Sequence, residues 1–192
     1  MTERRHENLK ILAFVGLTGS GKSTAVEHFT AKGFPRVYFG GVIYKAMEEA
    51  GIEKGEDNEK LFRVDIRERE GNDFVVKRII QQIHDLADAG QHRIIADGIY
   101  SWDEYKAMKH EFPGEVVIVA IIASKHRRYH RLTQRFSDRP QTEAISAQRD
   151  HNEIESINKG GPIAMADYFV MNDGGEAEFV ESLDKLAAEL EF

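Results

Sequence analysis

The chain has 192 residues, 41% of them hydrophobic and 31% charged, with a formal net charge of −7 and no cysteine. That length suits one domain with a full core, the negative balance argues against a general nucleic-acid binder, and the lack of thiols excludes disulfides, thiolate nucleophiles and thiolate metal sites. The longest apolar run, Val116 to Ala123, is too short to cross a bilayer, and the polar start MTERRHEN has no signal-peptide core behind it, so the expectation is a cytoplasmic protein.

Met1 to Asn8 reads as a frayed, charged tail. Ile11 to Val15 is an apolar strand that runs into Gly16-Leu17-Thr18-Gly19-Ser20-Gly21-Lys22-Ser23, which fits GxxxxGKS at every fixed position. This is a phosphate-binding loop. Gly16, Gly19 and Gly21 free the backbone to point successive N–H groups into one concavity, and the helix that follows aims its positive end at the same point. Gly16, Thr18, Gly19, Ser20, Gly21, Lys22, Ser23 and Thr24 are the expected ATP-binding residues, with Lys22 on the β and γ phosphates and the Ser23 hydroxyl on Mg2+.

The helix from Thr24 to Lys32 stops at Gly33, and a short second strand, Val37 to Phe39, ends at Gly40-Gly41. Val42 to Ala50 reads as a helix, Ile52 to Glu59 as an exposed loop, Lys60 to Glu70 and Asp73 to Gly90 as two more helices. Arg93 to Ala96 is a strand ending in Asp97-Gly98. A carboxylate at the carboxyl end of a strand beside a phosphate loop serves the metal shell or takes a proton from an attacking hydroxyl. Ser101 and Glu104 form a capping box for a helix to Phe112, in which Trp102, Tyr105, Met108 and Phe112 share a face suited to the core.

Glu115 to Ala123 is apolar on both faces, as a central parallel strand should be. Lys125 to Phe136 is a helix in which Arg127, Arg131 and Arg135 recur four apart on one face. It reads as a lid over ATP, or else as a solvated basic face or an RNA patch; no aromatic platform is interleaved with it. A helix from Thr142 to about Ile157, a loop at Asn158 to Pro162, a fifth strand from Asp167 to Met171 and a helix from Glu176 to Leu190 complete the chain. The eight histidines have no metal-ligand spacing. Alternating strands and helices specify an α/β fold with a parallel sheet.

Across nearly the whole chain the segments VGLTGSGKST, YFGGVIYKAMEEAG, IIADGIYS, IVAIIASKHRRYHRLTQRFSDRP and IAMADYFVMND resemble P-loop nucleoside-monophosphate kinases, closest to the adenylate-kinase-related proteins that share a superfamily with dephospho-CoA kinases. The resemblance implies a three-layer P-loop NTPase fold with a five-stranded parallel sheet in the order 2-3-1-4-5. It also implies a single domain over 1–192, an acceptor-binding helical region at about 40–90 and a lid at about 125–141. Lys22, Ser23 and Asp97 carry over, with Ser23 and Asp97 at the metal, and so do Arg127, Arg131 and Arg135 as a group.

Two departures bear on the acceptor. Where adenylate kinases hold the acceptor phosphate with arginines, this chain has Tyr44 in GGVIY and Tyr100 in DGIYS, and Gly41 replaces an acidic residue. A phenol lacks the charged fork of a guanidinium. The tyrosines stack on a base or simply pack, and Lys45, Arg63, Arg67 or Arg78 supplies the missing charge. Gly41, Tyr44, Arg67, Gly98 and Tyr100 are thus the expected acceptor site. The acidic and HP elements typical of dephospho-CoA kinases are missing. The expected function is phosphoryl transfer from Mg-ATP to a nucleotide-like small molecule, with dephospho-CoA as an alternative acceptor. A nucleotide-binding regulator or slow ATPase is the alternative of another class. Membrane and nucleic acid are not expected partners, and a homodimer is left open.

Overall fold

The computed structural model describes residues 6–53, 55–71, 73–134 and 142–192. Arg135, expected in the lid, lies outside the described residues, as does the side chain of Arg67. Five strands, β1 (Lys10–Val15), β2 (Arg36–Tyr38), β3 (Arg93–Asp97), β4 (Val116–Ile122) and β5 (Tyr168–Met171), form one parallel sheet in the order β2-β3-β1-β4-β5. The described helices are α1 (Lys22–Ala31), α2 (Phe39–Glu49), α3 (Glu56–Glu70), α4 (Phe74–Asp88), α5 (Trp102–Glu111), α6 (Lys125–Thr133), α7 (Glu143–Ile157), α8 (Gly160–Ala164) and α9 (Glu176–Glu189).

Helices cover both sheet faces, so the central strands are apolar throughout rather than alternating. Ile11, Ala13 and Val15 of β1 point into one core with Met47, Ile79, Ile83 and Met108. Leu12 and Phe14 point into the other with Val26, Phe29 and Leu183. Phe14 and Phe29 stack there at 5.6 Å. Ser101 accepts the Glu104 N–H at 3.1 Å and Glu104 accepts the Ser101 N–H at 3.0 Å, so the capping box forms and starts α5 after the site.

Three local expectations change. The pair Gly40-Gly41 does not end a strand; it lies in the first turn of α2, which begins at Phe39. The Tyr38 ring covers that turn so closely that a Cβ on Gly40 or Gly41 would come within 2.6 or 2.8 Å of it. The stretch expected as an exposed loop up to Glu59 is helical from Glu56, since acidic residue types suit the positive end of a helix. Asn158 to Pro162 is not a plain loop either. Asn158 takes a left-handed conformation that ends α7, and its carbonyl accepts from Gly161 to start the single turn α8, where Pro162 needs no N–H partner.

At the amino end, His6 Nε2 lies 2.9 Å from His84 Nδ1, and His84 Nε2 meets Glu111 at 2.8 Å, so the expected frayed tail is tied down from residue 6. Among the described residues no helix is long and apolar enough to cross a membrane.

Candidate functional site

β1 delivers the chain at Val15 to the turn 16–21, and α1 begins at Lys22. Gly19 holds φ at +83°, and a Cβ there would sit 2.8 Å from the Arg128 carbonyl, so only glycine lets α6 pack against the loop. A cavity of about 240 Å3 opens above the turn. Gly16, Thr18, Gly19, Gly21, Lys22 and Ser23 of the expected ATP site line it. Ser20 and Thr24 do not; Ser20 is buried with its hydroxyl lacking a hydrogen-bond partner.

Asp97 is the last residue of β3, in register with Phe14 of β1 and Tyr38 of β2. That placement brings its carboxylate, almost fully buried, to the mouth of the loop. Lys22 Nζ binds its Oδ1 and the Arg36 guanidinium binds its Oδ2. The two cations therefore satisfy both oxygens of a carboxylate that would be costly to bury alone. Arg36 also lies 4.4 Å from the Tyr38 ring centroid. Sequence reasoning missed Arg36. Its signal was its spacing, since residues two apart on a strand share a face with the site-lining Tyr38.

Tyr100 also lines the cavity, with Lys22 and Lys159 at 5.7 and 5.2 Å from its ring centroid. Burial, with the nearby Tyr38 hydroxyl and Asp97 carboxylate, pushes its phenol well above the usual tyrosine range. Gly98 holds φ at +90° directly beneath, where a Cβ would come within 2.6 Å of the ring. Gly41 lies under Tyr38, and Tyr44 is half-buried on α2 and does not line the cavity. Nor do Lys45 and Arg78, two of the suggested replacements for the missing charge. Lys45 is exposed, Arg78 pairs with Glu49 at 3.7 Å and stands over Phe74, and the side chain of Arg63 lies outside the described residues.

The arginines of α6 divide differently from their four-residue spacing. Arg128, between the expected positions, is the buried one. It donates to Asp150 of α7 at 3.0 and 2.6 Å and to the Thr18 carbonyl of the loop at 2.9 Å. The Tyr129 hydroxyl donates to the same Asp150 at 3.1 Å. Arg131 donates to the Asn172 side-chain carbonyl at 3.2 Å, and the Asn172 amide donates to the Ser20 carbonyl at 2.8 Å. Arg127 is exposed beside Asp173, whose carboxyl is held low chiefly by its hydrogen bonds with Ser124. Neither Arg127 nor Arg131 lines the cavity.

Two further cations do line it, Arg149 of α7 and Lys159 at the start of α8. Glu153 joins them: it accepts from Lys159 at 2.6 Å, from Arg149 at 3.2 Å and from the Thr18 hydroxyl at 3.3 Å. Burial holds the Lys159 ammonium below the usual lysine range, partly offset by Glu153. Nothing local in the sequence marks Lys159; only the left-handed turn at Asn158 aims it at the loop.

The donor set around the loop fits a magnesium ion carried by a polyphosphate. Ser23 and Asp97 offer one hydroxyl and one carboxylate on the same cavity, and Mg2+ takes few protein ligands and keeps substrate oxygens and waters. Among the described residues no three His, Asp or Glu side chains cluster into a metal cage.

A family model described as an AAA domain matches residues 12–158. The chain is 32% identical over 182 residues to a UPF0200 protein of Thermococcus kodakarensis, which covers 94% of this chain and 97% of that protein. A shikimate kinase from Bacteroides thetaiotaomicron superposes with a TM-score of 0.59 at 15% identity, over 95% of this chain and 99% of that one. A dephospho-CoA kinase from Campylobacter jejuni superposes with a TM-score of 0.56 at 15% identity, over 95% and 98%. The fold is that of P-loop kinases, and the sheet order agrees with the one the resemblance implied.

Proposed function

This chain belongs to the UPF0200 family, and on that premise we propose that it transfers the γ-phosphoryl group of Mg-ATP to a nucleotide-like small molecule. The observation that carries the reading is the meeting of Lys22 and Asp97 at the mouth of the phosphate loop.

The loop N–H groups and the amino end of α1 receive the polyphosphate, and Lys22 leaves Asp97 for the β and γ oxygens. Ser23 and the carboxylate so released would hold the magnesium shell, which would supply neutralising charge to the phosphates. The bond from the bridging oxygen to the γ-phosphorus breaks, leaving ADP, and the acceptor oxygen bonds to that phosphorus as its proton passes to the Asp97 carboxylate. Asp97 orients that oxygen. Arg149 faces the same space and stabilises charge spread over the migrating group. Rigid positioning supplies most of the acceleration. Arg127 and Arg131 act here as the root of a lid that would bring them closer when nucleotide is bound.

The test is ADP release from Mg-ATP with nucleosides, their monophosphates, dephospho-CoA and a no-acceptor control. Strong stimulation by one acceptor supports the reading. A flat panel with nucleotide bound overturns it in favour of a slow ATPase or nucleotide-reporting protein. The hydrogen bond that the Thr18 hydroxyl donates to Glu153 of α7 favours that second reading, because it links loop occupancy to a surface helix.

A further inference from the structure

We infer that Arg36 and Lys159 form the anion subsite of the acceptor, so that the molecule phosphorylated is one that already carries a phosphate monoester. This rests on the phosphoryl-transfer reading. The positions expected to hold such a group, Tyr44 and Tyr100, carry no charge, and Tyr44 does not line the cavity. The charge instead comes from two other elements, β2 and the start of α8, which place Arg36 and Lys159 in one cavity with Tyr38 and Tyr100. Each cation stands against one of these rings, Arg36 on Tyr38 at 4.4 Å and Lys159 on Tyr100 at 5.2 Å.

Occupancy of the phosphate loop frees Arg36. In the structure Asp97 binds Lys22 and Arg36 together. A polyphosphate in the loop draws Lys22 away and turns Asp97 toward Ser23, which leaves the Arg36 guanidinium, 39% exposed, in need of an anion. Lys159 is almost fully buried and shares Glu153 with Arg149 and Thr18, so its single carboxylate is divided among three donors. Two such cations, each against a tyrosine ring, match a dianionic group with several oxygens better than a neutral hydroxyl or a single carboxylate.

The test saturates the protein with Mg2+ and a non-hydrolysable ATP analogue and titrates inorganic phosphate by calorimetry, with acetate as a control. Wild type should bind phosphate and not acetate. Arg36→Gln and Lys159→Gln should each weaken phosphate about tenfold or more while analogue affinity changes less than twofold, and Arg36→Lys should recover part of the loss. Equal phosphate affinity in both variants, or analogue affinity lost in parallel, overturns the inference; the latter result assigns the cations to the donor. Should Lys159→Gln fail to fold, Arg36, on the open edge of the cavity, decides alone. Failure of phosphoryl transfer itself shows separately, as a flat acceptor panel with phosphate still bound.

Discussion

Arg128 grips Asp150 through both terminal guanidinium nitrogens, at 3.0 and 2.6 Å, and from the same pose donates to the carbonyl of Thr18. Both side chains are buried. Asp150→Ala strands the guanidinium and should cost on the order of 3–5 kcal/mol in urea unfolding. The double variant Arg128→Met with Asp150→Leu should lose much less than the two single losses added together. Additive losses would mean the pair does not act as a unit.

Lys22→Met removes the cation that serves both the loop and Asp97. ADP release should fall by at least ~100-fold, the usual scale for losing one preorganised donor. The far-ultraviolet dichroism should be unchanged, because Arg36 still pairs with Asp97. An undiminished rate would remove the proposed mechanism.

Gly98→Ala forces a side chain into the left-handed region and against the Tyr100 ring. The backbone strain alone is about 1–2 kcal/mol, and the displaced ring widens the acceptor wall. The expected result is a raised KM for the acceptor with ATP-analogue affinity little changed. Equal losses in both would place Tyr100 at the donor instead.

Burial and neighbouring acidic groups raise the phenols of both Tyr100 and Tyr129 above their usual range. A group whose pKa is higher folded than unfolded binds its proton more tightly in the native state, so its contribution is complete below about pH 10 and is lost as pH climbs through the folded value. In a spectroscopic titration of the six tyrosines, two should ionise last and together with unfolding. Tyr129→Phe should shift the alkaline midpoint upward; a midpoint that does not move would show that another group governs it.

The sheet and the phosphate loop were legible because each rests on local pattern. Apolar runs mark Ile11 to Val15 and Val116 to Ile122, and GxxxxGKS needs no distant partner to be recognised. Asp97 was legible too, as a carboxylate at a strand end. What was not legible depended on packing across elements. The spacing of Arg127, Arg131 and Arg135 gave no sign that Arg128 turns inward, which was decided by Asp150, more than a dozen residues on. Lys159 reaches the cavity only because Asn158 turns left-handed, and no periodicity forecasts a single such residue.

The register of Asp97 with both Phe14 and Tyr38 also fixes a scale. The strand carrying Arg36 and the strand feeding the phosphate loop are separated by one intervening strand, hence by two ladder spacings, roughly 10 Å. The sheet therefore works as a ruler, setting the gap between the two ends of the site in backbone hydrogen bonds that no side-chain substitution can stretch. Changes to helices and surface charge in this chain therefore leave the reach between those ends constant.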